Sequence, residues 1–483
     1  MPELTTSRLV LHNRGSHVLG SWKPISHSTC AHKSSTRSHL VANLSQSSAP
    51  ITVVYLVAIE DIVQSPIVRS QVIELVKAIT AGASDHKITL VSVYPILNLI
   101  RFRSPVKALR RELAEHGVTL RVFPLFYLTR YFYVPIWLLP LFLLQALLVS
   151  LWVSIFLKPG VVHCRSYPAA VIGALTRRFT KTKFVFDTRN LYPEEGATLI
   201  RSWQAKVLGK ASYTLWKEIE ARLMRHADAT VVVSEPTVDV LVSQYPRAEK
   251  RLHVIPQLAP VSSMVSLQTW RRQSRRKLGL AESDVMVAYM GTWFEPEPTI
   301  QLFRLLQQTA PDIPWHFMLL VSKQAQLPAG QHQGLEAYVL AKLEDGPSCT
   351  ALSLPHKEVA IYLAGADLAV HPFSIPKEAE KDPLYLRRLK AWQSIKYTEY
   401  LAAGLAIVVS QWVGAVAQSV QKHDLGVVYD LCSTDELASW IANWHQNQEA
   451  YRRRAWEYAD SNFRIEIVAQ RYLDLYQTLA EQG

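Results

Sequence analysis

The strongest constraint on this chain is an alternation. From residue 51, short runs apolar on both faces recur, separated by helix-forming segments. The first set comprises Ile51–Ile59, Ile88–Tyr94, Val118–Phe123, Val161–Cys164, Lys183–Asp187, Ala229–Ser234 and Leu252–Pro256. Runs such as V-V-Y-L-V and A-T-V-V-V suit parallel strands buried between two layers of helices. The pattern predicts an α/β, doubly wound, Rossmann-like domain. In Ile255-Pro256-Gln257-Leu258-Ala259-Pro260 two prolines stand four positions apart, which reads as a hinge or linker. A second alternation follows, with strands at Val285–Gly291, Trp315–Val321, Asp367–Pro372, Ala406–Ser410 and Gly426–Tyr429. His356–Asp367 reads as a helix running into the third of these. Two such domains in succession leave a cleft between them, a favoured place for a ligand. The closing segment, Ile465–Gln482, is amphipathic, with Ile467, Val468, Tyr472, Leu473, Leu475 and Tyr476 on one broad face.

The chain has 483 residues, enough for two or three domains, and its 49% apolar content supplies their cores. The expected division is a disordered extension over 1–50, an N-terminal domain over 51–255, a C-terminal domain over 256–464, and a last helix over 465–483 that returns to the first domain. Residues 1–50 are rich in Ser, His and Thr and lack an apolar signal core, so they read as that extension or as sequence upstream of the folded protein. The cysteines Cys30, Cys164, Cys349 and Cys432 are far apart, which points to a reducing compartment and away from a metal cluster or disulfide framework. Charge is uneven. Residues 1–255 carry 31 Lys and Arg against 16 Asp and Glu; residues 256–483 carry 21 against 24. An anionic partner is therefore expected for the first half only.

Phe132–Leu157 holds no charged side chain over 26 residues. That length can span a bilayer, which takes about 20 residues. A span would split the first sheet, however, since strands are expected on both sides of it. An interfacial helix, a span and a plain core helix all stay open. Just upstream stand Arg101, Arg103, Lys107, Arg110 and Arg111. With Trp137 and Trp152 they suit adhesion to an anionic membrane surface, although a solvated helix face has the same look. Nucleic acid is not expected, because no recognition module or interleaved aromatic pattern appears.

Two stretches concentrate polar chemistry. In Phe184–Gly196 (F-V-F-D-T-R-N-L-Y-P-E-E-G) a strand ends at Asp187 and a polar loop follows. Ligands of doubly wound sheets bind at such strand ends. Asp187 and Arg189 can fix each other there while Glu194 and Glu195 face the cleft; a structural ion pair with a solvated acidic loop is the plainer reading. His163 and Arg165 close the preceding strand, and His163 reads equally well as a satisfied core histidine. The second stretch is Ser394–Ser410 (S-I-K-Y-T-E-Y-L-A-A-G-L-A-I-V-V-S). Lys396 and Glu399 share one face of a helix that Gly404 ends in a left-handed cap. A cation for phosphate and a carboxylate for a vicinal diol suit a nucleotide sugar. The plainer reading is a surface salt pair.

Taken in order, these motifs resemble the retaining GT-B glycosyltransferases of the large "group 1" family, over roughly residues 51–480. The resemblance rests on F-D-x-R-x-L-Y-P-E-E-G (Phe186–Gly196), on V-V-V-S-E (Val231–Glu235) followed by V-I-P (Val254–Pro256), on A-Y-M-G (Ala288–Gly291), and on S-x-K-x-x-E-Y-L-A-A-G-L-A-I-V-V. It implies two Rossmann-like domains facing across a cleft. It also implies that Glu399 holds the nucleotide ribose, that Ser394 and Lys396 lie near the diphosphate, and that Gly291 lets the backbone approach the donor. Asp187, Arg189 and His163 would line the acceptor side or contact the transferred sugar, and are the catalytic candidates; Glu194, Glu195 and Arg165 are expected on the acceptor side. Members often carry two glutamates eight positions apart; here the earlier position is Ala391. The usual basic pair after the first C-domain strand is replaced by an acidic turn with Glu295 and Glu297, leaving Lys323, Arg387 or Arg388 to grip phosphate. Ser65-Pro66 stands where many relatives have a Gly-Gly loop.

The expected activity is retaining transfer of a hexosyl-type sugar from a nucleotide sugar to a hydroxyl of a glycan or lipid-linked acceptor. The expected setting is polysaccharide biosynthesis at a cytoplasmic, peripheral-membrane surface. No D-x-D motif is present, so no metal and no cofactor is expected. Two other readings compete: a catalytically silent GT-B partner in a polysaccharide assembly complex, and a soluble sugar-nucleotide epimerase.

Overall fold

In the computed structural model the described residues are 50–83, 85–126, 134, 138–199, 203–291, 296–321, 334–343 and 347–482. Trp137, Lys323 and Glu295 lie outside them. Seven strands form the first sheet: β1 (Thr52–Ala58), β2 (Lys87–Pro95), β3 (Thr119–Leu125), β4 (Val161–Arg165), β5 (Lys183–Asp187), β6 (Ala229–Val232) and β7 (Leu252–Val254). Their order is β3-β2-β1-β4-β5-β6-β7, and every pairing is parallel. The second sheet uses β8 (Val285–Gly291), β9 (Trp315–Val321), β10 (Ser348–Leu352), β11 (Leu368–His371), β12 (Ala406–Val409) and β13 (Gly426–Val428), in the order β10-β9-β8-β11-β12-β13, again all parallel.

The doubly apolar runs explain the layering. On β1, Val54 and Leu56 enter a core with Val162, Cys164 and Phe186 on one sheet face. Val53, Tyr55 and Val57 enter the opposite core with Val161 and Val185. Period-two alternation thus buries both faces of one strand. Among the described strands, only β10 falls outside the sequence reading. It is an edge strand of mixed sequence, Ser-Cys-Thr-Ala-Leu, with no residue fully buried.

The linker and the last helix tie the lobes together. Ala259 pairs with Arg464, and its N–H donates to the Phe463 carbonyl at 2.9 Å. The C-terminal helix Ile465–Glu481 then lies on the first lobe. Val468, Tyr472, Leu473 and Tyr476 join the core beneath β1.

The uncharged run forms the connection from β3 to β4, two strands of one sheet. Its described part is a helix, Leu139–Trp152, continued by a wider turn, Val153–Leu157. Leu139, Phe142, Ala146, Val149 and Val153 pack into the first lobe's core. Leu144, Leu148, Ile155 and Phe156 face outward, Phe156 being 66% exposed. By length and composition alone, Leu139–Leu157 is long enough to cross a membrane. Trp152 does not face outward fully; it is half-buried against Phe123, with ring centroids 4.9 Å apart. Arg101 ends the short helix Ile96–Arg101. Arg103, Lys107, Arg110 and Arg111 lie exposed on the helix Arg103–Glu115, whose Val106, Leu109 and Leu113 are buried. Leu97, Ile100 and Phe126 are also more than half exposed on this side of the lobe.

Candidate active site

The helix Ile395–Ala402 places Lys396 and Glu399 at the carboxyl edge of the second sheet. Its end is the predicted left-handed cap. Gly404 has φ +76°, and the Leu405 and Gly404 N–H groups donate to the carbonyls of Tyr400 and Leu401. Tyr400 anchors the helix to two strands. Its hydroxyl accepts from the Met290 N–H at 2.8 Å and donates to the Val370 carbonyl at 3.4 Å. Ser394 is the N-cap, buried, with an extended backbone.

These anchors press Lys396 onto the end of β8. Its Nζ lies 4.9 Å from the centre of the Tyr289 ring. Gly291, at φ +144°, holds a conformation that side chains rarely adopt, and a Cβ there would displace the Lys396 Nζ, 2.3 Å away. Loss of water around the ammonium pulls the Lys396 pKa down to about 8, against the opposing field of Glu399. Among the described residues no carboxylate lies within ion-pair distance of this nitrogen. Beside it, His371 ends β11 fully buried. Burial and the Lys396 charge push its pKa down to about 3, so it is neutral. Its Nε2 has no hydrogen-bond partner among the described residues. Glu399 accepts from His356 Nε2 at 3.2 Å, a contact that raises the His356 pKa. A shielded cation, a neutral imidazole and a largely buried carboxylate therefore converge at one sheet edge.

That edge faces the first lobe. The helix Pro383–Ala391, which leaves β11 and leads into the lysine helix, docks on the first lobe's helices Tyr192–Leu199 and Glu235–Gln244. Arg387 pairs with Glu194 at 3.3 Å, and Arg388 donates to the Thr198 hydroxyl at 2.9 Å. The Thr237 hydroxyl donates to the Ala391 carbonyl at 3.4 Å, and the Ala391 side chain enters the first lobe's core. Arg388, expected at the donor phosphate, is thus held in a contact between lobes. So is Arg387. Ala391 occupies a place where a glutamate would bury an unpaired charge.

Glu194 is likewise not open to the cleft. It is fully buried between Lys217 and Arg387, at 3.2 and 3.3 Å. Burial, with Glu220 adding repulsion, raises its pKa although Lys217 opposes the shift. Glu195 is half-buried and accepts from the Asn190 amide. Arg165 is buried and paired with Glu60 at 3.0 Å.

The expected catalytic trio is brought together, but inside the fold. Period-two alternation on β4 turns His163 toward the sheet face that the C-terminal helix covers. There it stacks on Tyr55, and its Nδ1 meets the Tyr476 hydroxyl at 2.5 Å. Its Nε2 lies 3.4 Å from Asp187, which also accepts from the Tyr472 hydroxyl at 3.5 Å. Burial alone would raise the Asp187 pKa; Arg189, His163 and Arg165 outweigh it and hold the carboxylate charged. Burial lowers the His163 pKa. Both side chains are fully buried, which is the satisfied-core reading of His163 and the structural-pair reading of Asp187. Arg189, at φ +57°, bonds Gln71 at 3.3 Å. Gln71 in turn clamps the linker, accepting from the Leu258 N–H and donating to its carbonyl. His371 and Gln71 were missed by sequence reasoning. His371 ends a predicted strand, which is a findable signal; Gln71 has none.

The Glycosyltransferase Family 4 model matches residues 82–258. No curated protein matches the chain. A sucrose-phosphate synthase from Thermosynechococcus elongatus is 15% identical, with TM-score 0.59, covering 90% of this chain and 100% of its own. A glycosyltransferase from Rickettsia africae is 13% identical, with TM-score 0.56 and the same coverage. Anabaena HepE, solved in complex with UDP-glucose, is 14% identical with TM-score 0.52, covering 89% of this chain and 100% of its own. The chain is similar to Glycosyltransferase Family 4 over residues 82–258, and its two parallel-sheet lobes have the GT-B fold of glycosyltransferases.

Proposed function

We propose that this protein transfers a sugar from a nucleotide-sugar donor to a hydroxyl of a glycan or lipid-linked acceptor, with retention, at a membrane surface. The observation that carries the reading is the seating of Lys396 on Gly291 with Glu399 one turn away. Glu399 accepts hydrogen bonds from the ribose diol. Lys396, aided by the positive end of its helix at Ser394, meets the diphosphate. An ammonium held in a partly dehydrated place stabilises the departing diphosphate more than one in water does. The leaving phosphate takes the acceptor's proton, so no separate base is needed. His371 Nε2 lies at the same edge and positions the donor. Asp187, His163 and Arg189 act from behind, fixing the linker through Gln71. HepE, bound to UDP-glucose, makes UDP-glucose the first donor to try.

The exposed apolar residues beside Arg110 and Arg111 support adhesion to anionic lipid. Metal independence belongs to the same proposal, and turnover unchanged by EDTA checks it. One observation favours a second reading. Arg387, Arg388 and Ala391 are all committed to lobe contacts, which suits a catalytically silent GT-B partner. Purified protein supplied with a panel of nucleotide sugars decides between the two. Release of nucleotide diphosphate that Lys396→Ala abolishes supports transfer; binding without any release supports the silent partner.

A further inference from the structure

The basic surplus of the first half is not exhausted by the residues assigned to lipid. A second concentration lies at the opposite edge of the same sheet, where β5, β6 and β7 begin. A pocket of about 480 Å³ opens there. Arg177, Arg225, His226, Lys250, Arg251 and His253 line it, and the end of the C-terminal helix closes it with Thr478 and Leu479. Asp228 is the one carboxylate among the lining residues, and it is already engaged. It pairs with Arg177 and accepts from the Phe184 N–H at 2.7 Å. Arg251 is fixed by the carbonyls of Arg225 and Ala227 at 2.9 and 2.7 Å, so its guanidinium is pre-positioned. Arg225 and Lys250 are exposed, and neither side chain has an ion pair among the described residues.

We propose that this pocket is a second anion site, taking a small phosphate-bearing ligand at the edge opposite the donor cleft. Asp228 offsets one of the four cations converging on this concavity; the remaining excess of positive charge is relieved when a further anion sits among them. Loss of water and the nearness of Arg251 lower the Arg177 pKa, the expected sign of that crowding. Guanidinium groups bind phosphate through paired N–H donors, and the volume matches that of small-ligand pockets. Cations near helix carboxyl ends also favour those ends, but Lys250 and Arg225 reach no helix carbonyl through their side chains among the described residues. The inference does not depend on the proposed sugar transfer.

Titration of the full-length protein with inorganic pyrophosphate tests it by calorimetry. Lys396→Ala removes the donor cleft's cation, and pyrophosphate binding should survive it. The double variant Arg225→Ala/Lys250→Ala changes exposed residues and should fold normally by circular dichroism. It should weaken the surviving binding at least tenfold. Equal pyrophosphate affinity with and without Arg225 and Lys250, or no binding once Lys396 is removed, overturns the proposal. Competition by phosphatidic acid vesicles at the same residues would place the phosphate on a lipid headgroup; indifference to them would place it on a soluble molecule.

Discussion

The two sheets present their carboxyl edges to each other, yet they treat charge in opposite ways. On the first edge, Asp187, His163, Arg165 and Glu194 are sealed inside, each with at least one charged or hydroxyl partner. On the second edge, Lys396 is partly dehydrated but left without a carboxylate partner among the described residues, and His371 keeps an unpaired nitrogen. Charges paired with one another in this way stabilise and position, although Asp187 Oδ1, Arg165 Nη1 and Glu194 Oε2 keep no partner among the described residues. A cation held short of its partner is ready for a ligand. On the proposed reading the first edge frames and the second edge binds.

The largest test of this contrast is stability. Asp187→Ala leaves Arg189, His163 Nε2 and the buried Tyr472 hydroxyl uncompensated, and should cost about 3–5 kcal/mol in urea unfolding. Lys396→Met should do the reverse at pH 7, gaining about 1–3 kcal/mol after allowance for partial exposure. The Lys396 pKa falls from its ordinary 10.5 to about 8 in the folded protein. Burial of its ammonium therefore costs stability below pH 8, and that cost fades as pH rises toward 10.5. The gain from Lys396→Met should shrink over the same window. Equal losses for both variants would erase the distinction between the edges.

Ligand affinity comes next. Nucleotide binding should weaken above pH 8, by up to about tenfold per pH unit, as free Lys396 loses its proton. Lys396→Ala should be weaker at pH 7 and flat over that range. A wild-type profile equally flat would remove Lys396 from the diphosphate. Between the edges, Arg387→Ala should cost about 1–3 kcal/mol of stability by releasing one partner of the buried Glu194. The smallest effect concerns the membrane. Each basic residue near an anionic surface is worth about 1 kcal/mol, so Arg110→Glu/Arg111→Glu should cut sedimentation with anionic liposomes. Unchanged sedimentation would remove this helix from lipid contact.

The sheets were legible because their strands are apolar on both faces, a pattern few other structures produce. Lys183–Asp187, Val285–Gly291 and Trp315–Val321 were read with the observed limits. β10 was not, because a half-exposed edge strand lacks that pattern. The lysine helix was legible because Lys396, Glu399 and Gly404 are local in sequence. What failed was distant. Nothing in F-D-T-R shows that a helix some 285 positions later covers Asp187. Nothing around Arg388 shows that Thr198, 190 positions earlier, holds it. Residue types identified charged groups; only packing told which of them are sealed.

Calorimetric titration of Glu399→Ala with UDP-glucose addresses the central claim most directly. Loss of two hydrogen bonds to a carboxylate should weaken binding at least about thirtyfold, with unfolding by urea unchanged. Wild-type affinity in that variant would contradict the assignment of Glu399 to the nucleotide, and with it the second edge as the donor site.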